Sequence, residues 1–140
     1  MKIKIKLFEG GKVPLFKTEG AVCADAYARL NQEVVIRPGE RVMIPLGFAC
    51  ELPEGWELQI RPRSGLMAKG IDECFGTGDW DYTGEYRAIV VNNTKDFFTV
   101  NNGDRICQVA IREVPKIEFE VVDEIKETVR GSNGFGSTGV

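Results

Sequence analysis

The run Arg61-Pro62-Arg63-Ser64-Gly65 holds the residue types that grip an anion: two guanidinium groups, a hydroxyl and pliant backbone after a proline-fixed corner. If a strand ends at Pro62 and Ser64-Gly65 opens a short helical turn, unpaired amides and the turn's dipole face a negative ligand. A capped turn with two solvated arginines would use the same residues, and the segment alone leaves both readings open. A second cluster is Gly76-Thr77-Gly78-Asp79-Trp80-Asp81-Tyr82-Thr83-Gly84. Read as an extended strand, it puts Asp79 and Asp81 on one side and Trp80 and Tyr82 on the other. A hairpin turn at Thr83-Gly84 would then hold these side chains at the mouth of a sheet. Two close carboxylates with no cation in the segment suit a general base or a metal contact, and equally a solvated acidic turn.

Three further features carry potential chemistry. Gln108 interrupts the strand-like run Arg105-Ile106-Cys107-Gln108-Val109, and a buried glutamine needs a polar partner such as a phosphate or a water. Asp25 is an isolated acid among small residues, in Val22-Cys23-Ala24-Asp25-Ala26, where backbone can approach closely. The end of the chain, Arg130-Gly131-Ser132-Asn133-Gly134-Phe135-Gly136-Ser137-Thr138-Gly139, has four glycines and one aromatic residue. Such a tail cannot build core, because glycine loses entropy on ordering and buries no apolar area. Fraying is the ordinary fate of a terminus. Its arginine, hydroxyls and free amides are nevertheless the parts needed to hold a phosphate.

Composition narrows the chemistry. The 140 residues suit one domain, 43% hydrophobic and 28% charged, so an ordered globular protein is expected. There is no histidine, which removes Ser-His-Asp and Cys-His nucleophiles and every imidazole zinc site. Acid–base work falls to carboxylates, lysine, tyrosine or cysteine. A net charge of -3 gives no global attraction to nucleic acid or anionic membrane, so neither is expected as a partner. Cys23, Cys50, Cys74 and Cys107 form no C-x-x-C pair, and buried free thiols are expected rather than disulfides. Lys2 to Lys6 alternates charge with apolar residues and is not a signal peptide, so a cytoplasmic location is expected.

The elements that must position these groups are short strands. Ile3, Ile5 and Leu7 share one face of a first strand. Residues 34–36, 41–50, 56–61, 86–91, 97–100, 105–114 and 117–122 read as further extended segments. Pro38-Gly39, Pro53-Glu54-Gly55 and Asn101-Asn102-Gly103 punctuate them. Only the stretch from Ser64 to Lys69 could form a helical turn. This pattern predicts an all-β antiparallel sandwich or barrel. Residues 1–129 would form the β domain, and 130–140 a flexible glycine-rich tail.

Taken in order, the segments resemble the five motifs of the homotrimeric dUTPase family, from about residue 19 to residue 139. Pro62-Arg63-Ser64-Gly65-Leu66 and Arg130-Gly131-x-x-Gly134-Phe135-Gly136-Ser137-Thr138-Gly139 are the most specific. Asp79-x-Asp81-Tyr82-x-Gly84 and Gly103-x-Arg105-Ile106-x-Gln108 match at the expected separations. The first motif departs from the family's usual glycine, bulky residue, aspartate and leucine, reading Cys23-Ala24-Asp25-Ala26. The resemblance implies a jelly-roll fold, a homotrimer with shared active sites, and Mg²⁺-assisted hydrolysis of dUTP to dUMP and pyrophosphate. That reaction keeps uracil out of DNA and supplies dUMP for dTMP synthesis.

The resemblance also implies site roles. Asp79 would be the general base, and Gln108 would contact phosphate or the attacking water. Tyr82 would pack on the deoxyribose, and backbone at Gly76 and Arg87 would read uracil. Arg63, Ser64 and Gly65 would hold phosphates, while Asp25 would hold Mg²⁺ through water. Phe135 would stack on the uracil, Gly136 beside it would also bind substrate, and Arg130, Ser137 and Thr138 would hold the γ-phosphate. A dCTP deaminase on the same fold would need a catalytic glutamate where this chain has Ile89. A binding protein that has lost turnover would have no need of an intact Asp79, Tyr82, Gln108 and tail.

Overall fold

The computed structural model describes residues 1–135. Strands dominate it, as the alternation predicts. β1 (Lys4–Leu7) pairs with β5 (Phe48–Glu51), and β3 (Val34–Ile36) with β10 (Phe98–Val100). A four-stranded sheet runs β2 (Ala24–Tyr27), β11 (Arg105–Glu113), β6 (Trp56–Arg61), β8 (Gly76–Gly78). A three-stranded sheet runs β4 (Arg41–Pro45), β9 (Arg87–Asn92), β7 (Ile71–Glu73). Every pairing is antiparallel. The single helix, α1 (Ser64–Met67), follows β6 directly.

Period-two burial builds the core from inward-facing residues of several strands. Ile36, Ile44, Phe48, Leu58, Val90, Val100 and Ile106 are essentially sealed from solvent. At about 1.5–3 kcal/mol for each such side chain, this cluster is the main source of stability. Polar satisfaction completes it: buried Asn92 donates to the carbonyls of Ile36 and Asp96 and accepts from the Thr94 amide. All four cysteines are free. Cys50 and Cys107 are buried, whereas Cys23 and Cys74 are only half-buried. Burial pushes the Cys50 thiol up to about 11.

Three sequence expectations need correction. The run 41–50 is two strands, because Gly47 sits at φ +75° and turns the chain. A Cβ at Gly47 would also lie 2.6 Å from Gly11 Cα, so glycine is required there. The Gly47 amide then donates to Glu85, which Arg29 grips through two hydrogen bonds of 2.8 and 3.0 Å. The run 117–122 is not a strand. Ile117, Phe119 and Val121 alternate correctly but are 68, 89 and 98% exposed, since this chain offers the segment no sheet edge. Finally, Asp79 to Gly84 is not extended, and β8 and β9 lie in different sheets rather than in a hairpin.

Candidate functional site

Two groups of the predicted residues emerge. The first lies where β2, β11 and β6 run side by side. Gln108 on β11 stands opposite Asp25 on β2 and opposite Arg61 on β6, so the ladder aligns acid, amide and guanidinium in one row. Pro62 then ends β6, and the chain turns into α1. Gln108 Nε2 donates to the Pro62 carbonyl at 2.8 Å, which fixes the side chain against the corner and leaves its own carbonyl oxygen available. Arg63 reaches across to donate to the Arg105 carbonyl at 2.7 Å.

Asp25 is only 14% exposed and is held by two cations. Arg105 Nη1 lies 3.1 Å from Oδ2, and Arg63 Nε lies 3.5 Å from Oδ1. Above them the Ser64 hydroxyl and the Gly65 backbone are exposed. Within the described residues the Ser64 and Gly65 amides have no intramolecular partner, whereas the next three amides bond back to Arg63 and Ser64. Cationic side chains and free amides at one strand end make a corner of the kind that suits an anion.

The second group lines an open cleft of about 260 Å³ beside β8. Gly76, Asp79, Tyr82 and Arg87 all line it, as the sequence predicts. Asp79 and Asp81 do not share a strand face, because the segment is a tight turn in which the Tyr82 amide donates to the Asp79 carbonyl at 3.1 Å. The turn brings Tyr82 back over the cleft, with its hydroxyl donating to the Glu85 carbonyl at 3.0 Å and its ring 45% exposed. Beneath it lies the buried ring of Tyr86, with centroids 5.4 Å apart.

These two groups do not meet within one chain. β8 runs antiparallel to β6, pairing Gly76 with Ile60 and Gly78 with Leu58. Asp79 therefore emerges beyond Leu58 at the start of β6, while Arg63 emerges beyond its end. At roughly 3.3 Å per residue along a strand, they stand on the order of 15–20 Å apart.

Of the tail residues, Phe135 is fully exposed with φ +51°, and among the described residues Arg130 bonds only the Asn133 carbonyl. Gly136, Ser137 and Thr138 lie outside the described residues. Ile89, central in β9, brings no carboxylate to that strand.

The sequence reading missed Glu73. It is 5% exposed, and its Oε2 accepts the Arg63 amide at 2.9 Å. Burial pushes its carboxyl up to about 8, against the opposing pull of the Arg63 bond and charge. Period two does signal it, since Glu73 shares a face with buried Ile71.

A single hard carboxylate at the Arg63–Gly65 corner cannot cage a divalent cation by itself. Among the described residues no three acidic or cysteine side chains converge on a metal position. Asp25 does fit the outer-sphere role of steadying a hydrated Mg²⁺ whose remaining ligands are waters and phosphate oxygens.

Fold and site together define an antiparallel β protein with a cationic, amide-rich corner at one end of β6 and a separate aromatic-floored cleft with a carboxylate. The sequence pattern of the dUTPase family matches residues 10–139. A deoxyuridine 5'-triphosphate nucleotidohydrolase of Finegoldia magna is 42% identical over 142 residues, covering 99% of each chain. The chain therefore belongs to the dUTPase family of hydrolases. Among solved structures, a mutant dUTPase of Staphylococcus bacteriophage 80alpha with dUpNHpp superposes with TM-score 0.91 at 22% identity, covering 99% of each chain. A mutant dUTPase of phage phi11 of S. aureus, described as showing coordination of a structural Mg(II) ion, gives TM-score 0.82 at 20% identity. It covers 91% of this chain and all of that one. These two share the jelly-roll fold with this chain.

Proposed function

We propose that this protein hydrolyses dUTP to dUMP and pyrophosphate. The observation that carries the reading is the Arg63-Ser64-Gly65 turn, with unpartnered amides, a hydroxyl and a guanidinium beside Asp25 and Gln108. In this role Arg63, Ser64 and Gly65 hold the phosphates, with Ser64 near the α–β bridge, where charge develops as pyrophosphate leaves. Asp79 accepts a proton from the water that attacks the α-phosphorus. The new P–O bond forms as the bond to the bridging oxygen breaks. No histidine is present to do this, and water at neutral pH needs a positioned base.

Gln108, anchored at Pro62, offers its free oxygen to the attacking water or its amide edge to a phosphate. Tyr82 packs on the deoxyribose and leaves no room for a 2′-hydroxyl, and backbone at Gly76 and Arg87 reads the uracil edge. Asp25 would hold Mg²⁺ through water, and the ion would supply charge neutralisation to the phosphates. The 130–140 tail closes the site, with Phe135 and Gly136 over the base and Arg130, Ser137 and Thr138 on the γ-phosphate. Closure expels water from around the triphosphate.

The wide separation of Asp79 from the phosphate corner favours an assembly in which different copies supply them, and the homotrimer is the state we infer. A cytoplasmic location and a part in supplying dUMP for dTMP synthesis fit the same reading. The test is pyrophosphate release from dUTP, dCTP, dTTP and UTP, for wild type and Asp79→Asn. Turnover of dUTP alone is expected, falling at least about 10²-fold in the variant, the usual loss on removing a general base. Equal turnover of UTP, or an active variant, would overturn the assignment.

A further inference from the structure

Glu73 is the one strongly buried carboxylate of the described core, and the chemistry above makes no use of it. Its neighbourhood is specific. The side chain rises from the end of β7 against the turn that opens α1, and Oε2 accepts the backbone N–H of Arg63 at 2.9 Å. Arg63 is the N-cap residue of α1, and no side chain of its own segment caps that helix. In a capping box a glutamate three residues into the helix reaches back to the N-cap amide. Here the next strand, β7, supplies that acceptor from ten residues on instead.

The remaining oxygen, Oε1, is buried without any hydrogen-bond partner. An ionised carboxylate would leave a charge there that nothing compensates, whereas a protonated carboxyl leaves only a neutral hydroxyl. The surroundings offer little help to the charge. Among the described residues Arg63 is the only cation facing it, and that guanidinium is already committed to Asp25. Cys107 on β11 faces it with a thiol that burial, and then Glu73 itself, push further from ionisation. Asp72 on the same strand repels it, and the β9 residue paired with it is Val90.

We propose that Glu73 is a positioning residue for the triphosphate: as a neutral carboxyl it pins the Arg63 amide and so sets the turn, without placing negative charge behind the amides that meet the phosphates. The proposal rests on the reading that this turn holds phosphate. Its consequence is proton-linked substrate binding. The neutral form fixes the turn, and it is the form present up to a pH of about 8. Above that, an ionised Glu73 opposes the arriving phosphates across a short, poorly screened distance, and KM for dUTP rises while the chemistry at Asp79 is untouched.

The experiment measures KM and kcat for dUTP between pH 6.5 and 9 in wild type, Glu73→Gln, Glu73→Leu and Ser64→Ala. Glutamine keeps an acceptor for the Arg63 amide and cannot ionise. Wild type is expected to show KM climbing up to about tenfold per pH unit above the Glu73 pKa, with little change in kcat. Glu73→Gln is expected to lose that climb. Glu73→Leu leaves the amide unsatisfied and is expected to raise KM on the order of tenfold at pH 7, with glutamine rescuing it. A carboxyl that serves only the core would alter melting temperature and leave the KM profile alone. An unaltered alkaline climb in Glu73→Gln therefore overturns the proposal, even if Glu73→Leu fails to fold. Ser64→Ala separates the premise: if it leaves both kcat and KM unchanged, the phosphate reading of the turn has failed and the role of Glu73 falls with it. If it lowers kcat/KM while both Glu73 variants track wild type, only the positioning role has failed.

Discussion

Gly78 and Tyr86 occupy one volume between them, and this makes a sharp test of how the cleft floor is built. A Cβ placed on Gly78 would lie 2.5 Å from Tyr86 Cε1 and 3.2 Å from its Cζ and Oη. Ordinary carbon contacts need about 3.5–4 Å, so the ring must give way by roughly 1 Å. It has little freedom to do so. Tyr86 is 3% exposed, its ring lies 5.4 Å from those of Phe48 and Tyr82, and its backbone is held by the Phe48 carbonyl and the Leu46 amide, each at 3.0 Å. Overpacking of this kind costs about 1–3 kcal/mol, so Gly78→Ala should lower the melting temperature by about 3–10 °C.

Tyr86→Leu alone should also destabilise, because it opens a cavity beside Phe48. The double variant lets the new methyl occupy part of that cavity. Its loss should therefore be smaller than the sum of the single losses by about 1–3 kcal/mol. Urea denaturation at one fixed protein concentration measures all three variants, so that the mass-action contribution of any assembly is common to them and cancels in their differences. Tyr82 rests on Tyr86, so Gly78→Ala should raise KM for dUTP as well. A Gly78→Ala protein of wild-type stability, or a double variant that is additive within about 0.5 kcal/mol, would refute this packing argument.

Other expectations follow from single features of the structure. Burial pulls the Glu85 carboxyl upward, but bonds from Arg29 and Gly47 outweigh it and hold it below its ordinary 4.5. The pair therefore stabilises the fold above that pH, and its contribution fades as pH falls through the lowered value. Arg29→Met should cost about 1–3 kcal/mol at pH 7, and a difference from wild type that stays constant down to pH 3 would contradict this. Phe135→Ala should weaken productive binding by about 1–3 kcal/mol of stacking without moving the melting temperature; earlier melting with unchanged kinetics would make it a core residue. Chains carrying Asp79→Asn, refolded with an equal share of chains cut after Val129, should regain at most about a quarter of wild-type activity if base and tail come from different copies. No recovery in verified mixed assemblies would place both in one chain.

Much of the fold was legible because short strands carry their own code. Alternation located β6, β9 and β11, and the proline and serine after Arg61 marked α1. Where local sequence failed, a long-range contact decided. Gly47 splits an apolar run because Gly11, over thirty residues earlier, comes within touching distance. Asp79 to Gly84 alternates like a strand, but the turn bond from Tyr82 to Asp79 and the lack of a partner for β8 beyond Gly78 end it. Ala24 to Tyr27 and Ile71 to Glu73 are strands whose small or acidic residues disguise them, and both owe their state to neighbours in the sheet. Glu73 went unnoticed for a related reason: its burial depends on a turn that begins ten residues before it.

The exposed segment from 115 to 135 and the divided site are two aspects of one physical fact. A chain that places its proposed base and its proposed phosphate corner at opposite ends of β6 cannot bring them together by any movement of loops, because the ladder between β6, β8 and β11 is rigid. The same chain leaves Ile117, Phe119 and Val121 uncovered in a segment with strand-like alternation, at a cost that one copy does not recover. The proposed association of copies would answer both at once. It would give the alternating segment a surface and the Asp79 turn a neighbouring corner to face, so on this reading the unit that folds and the unit that would catalyse are different.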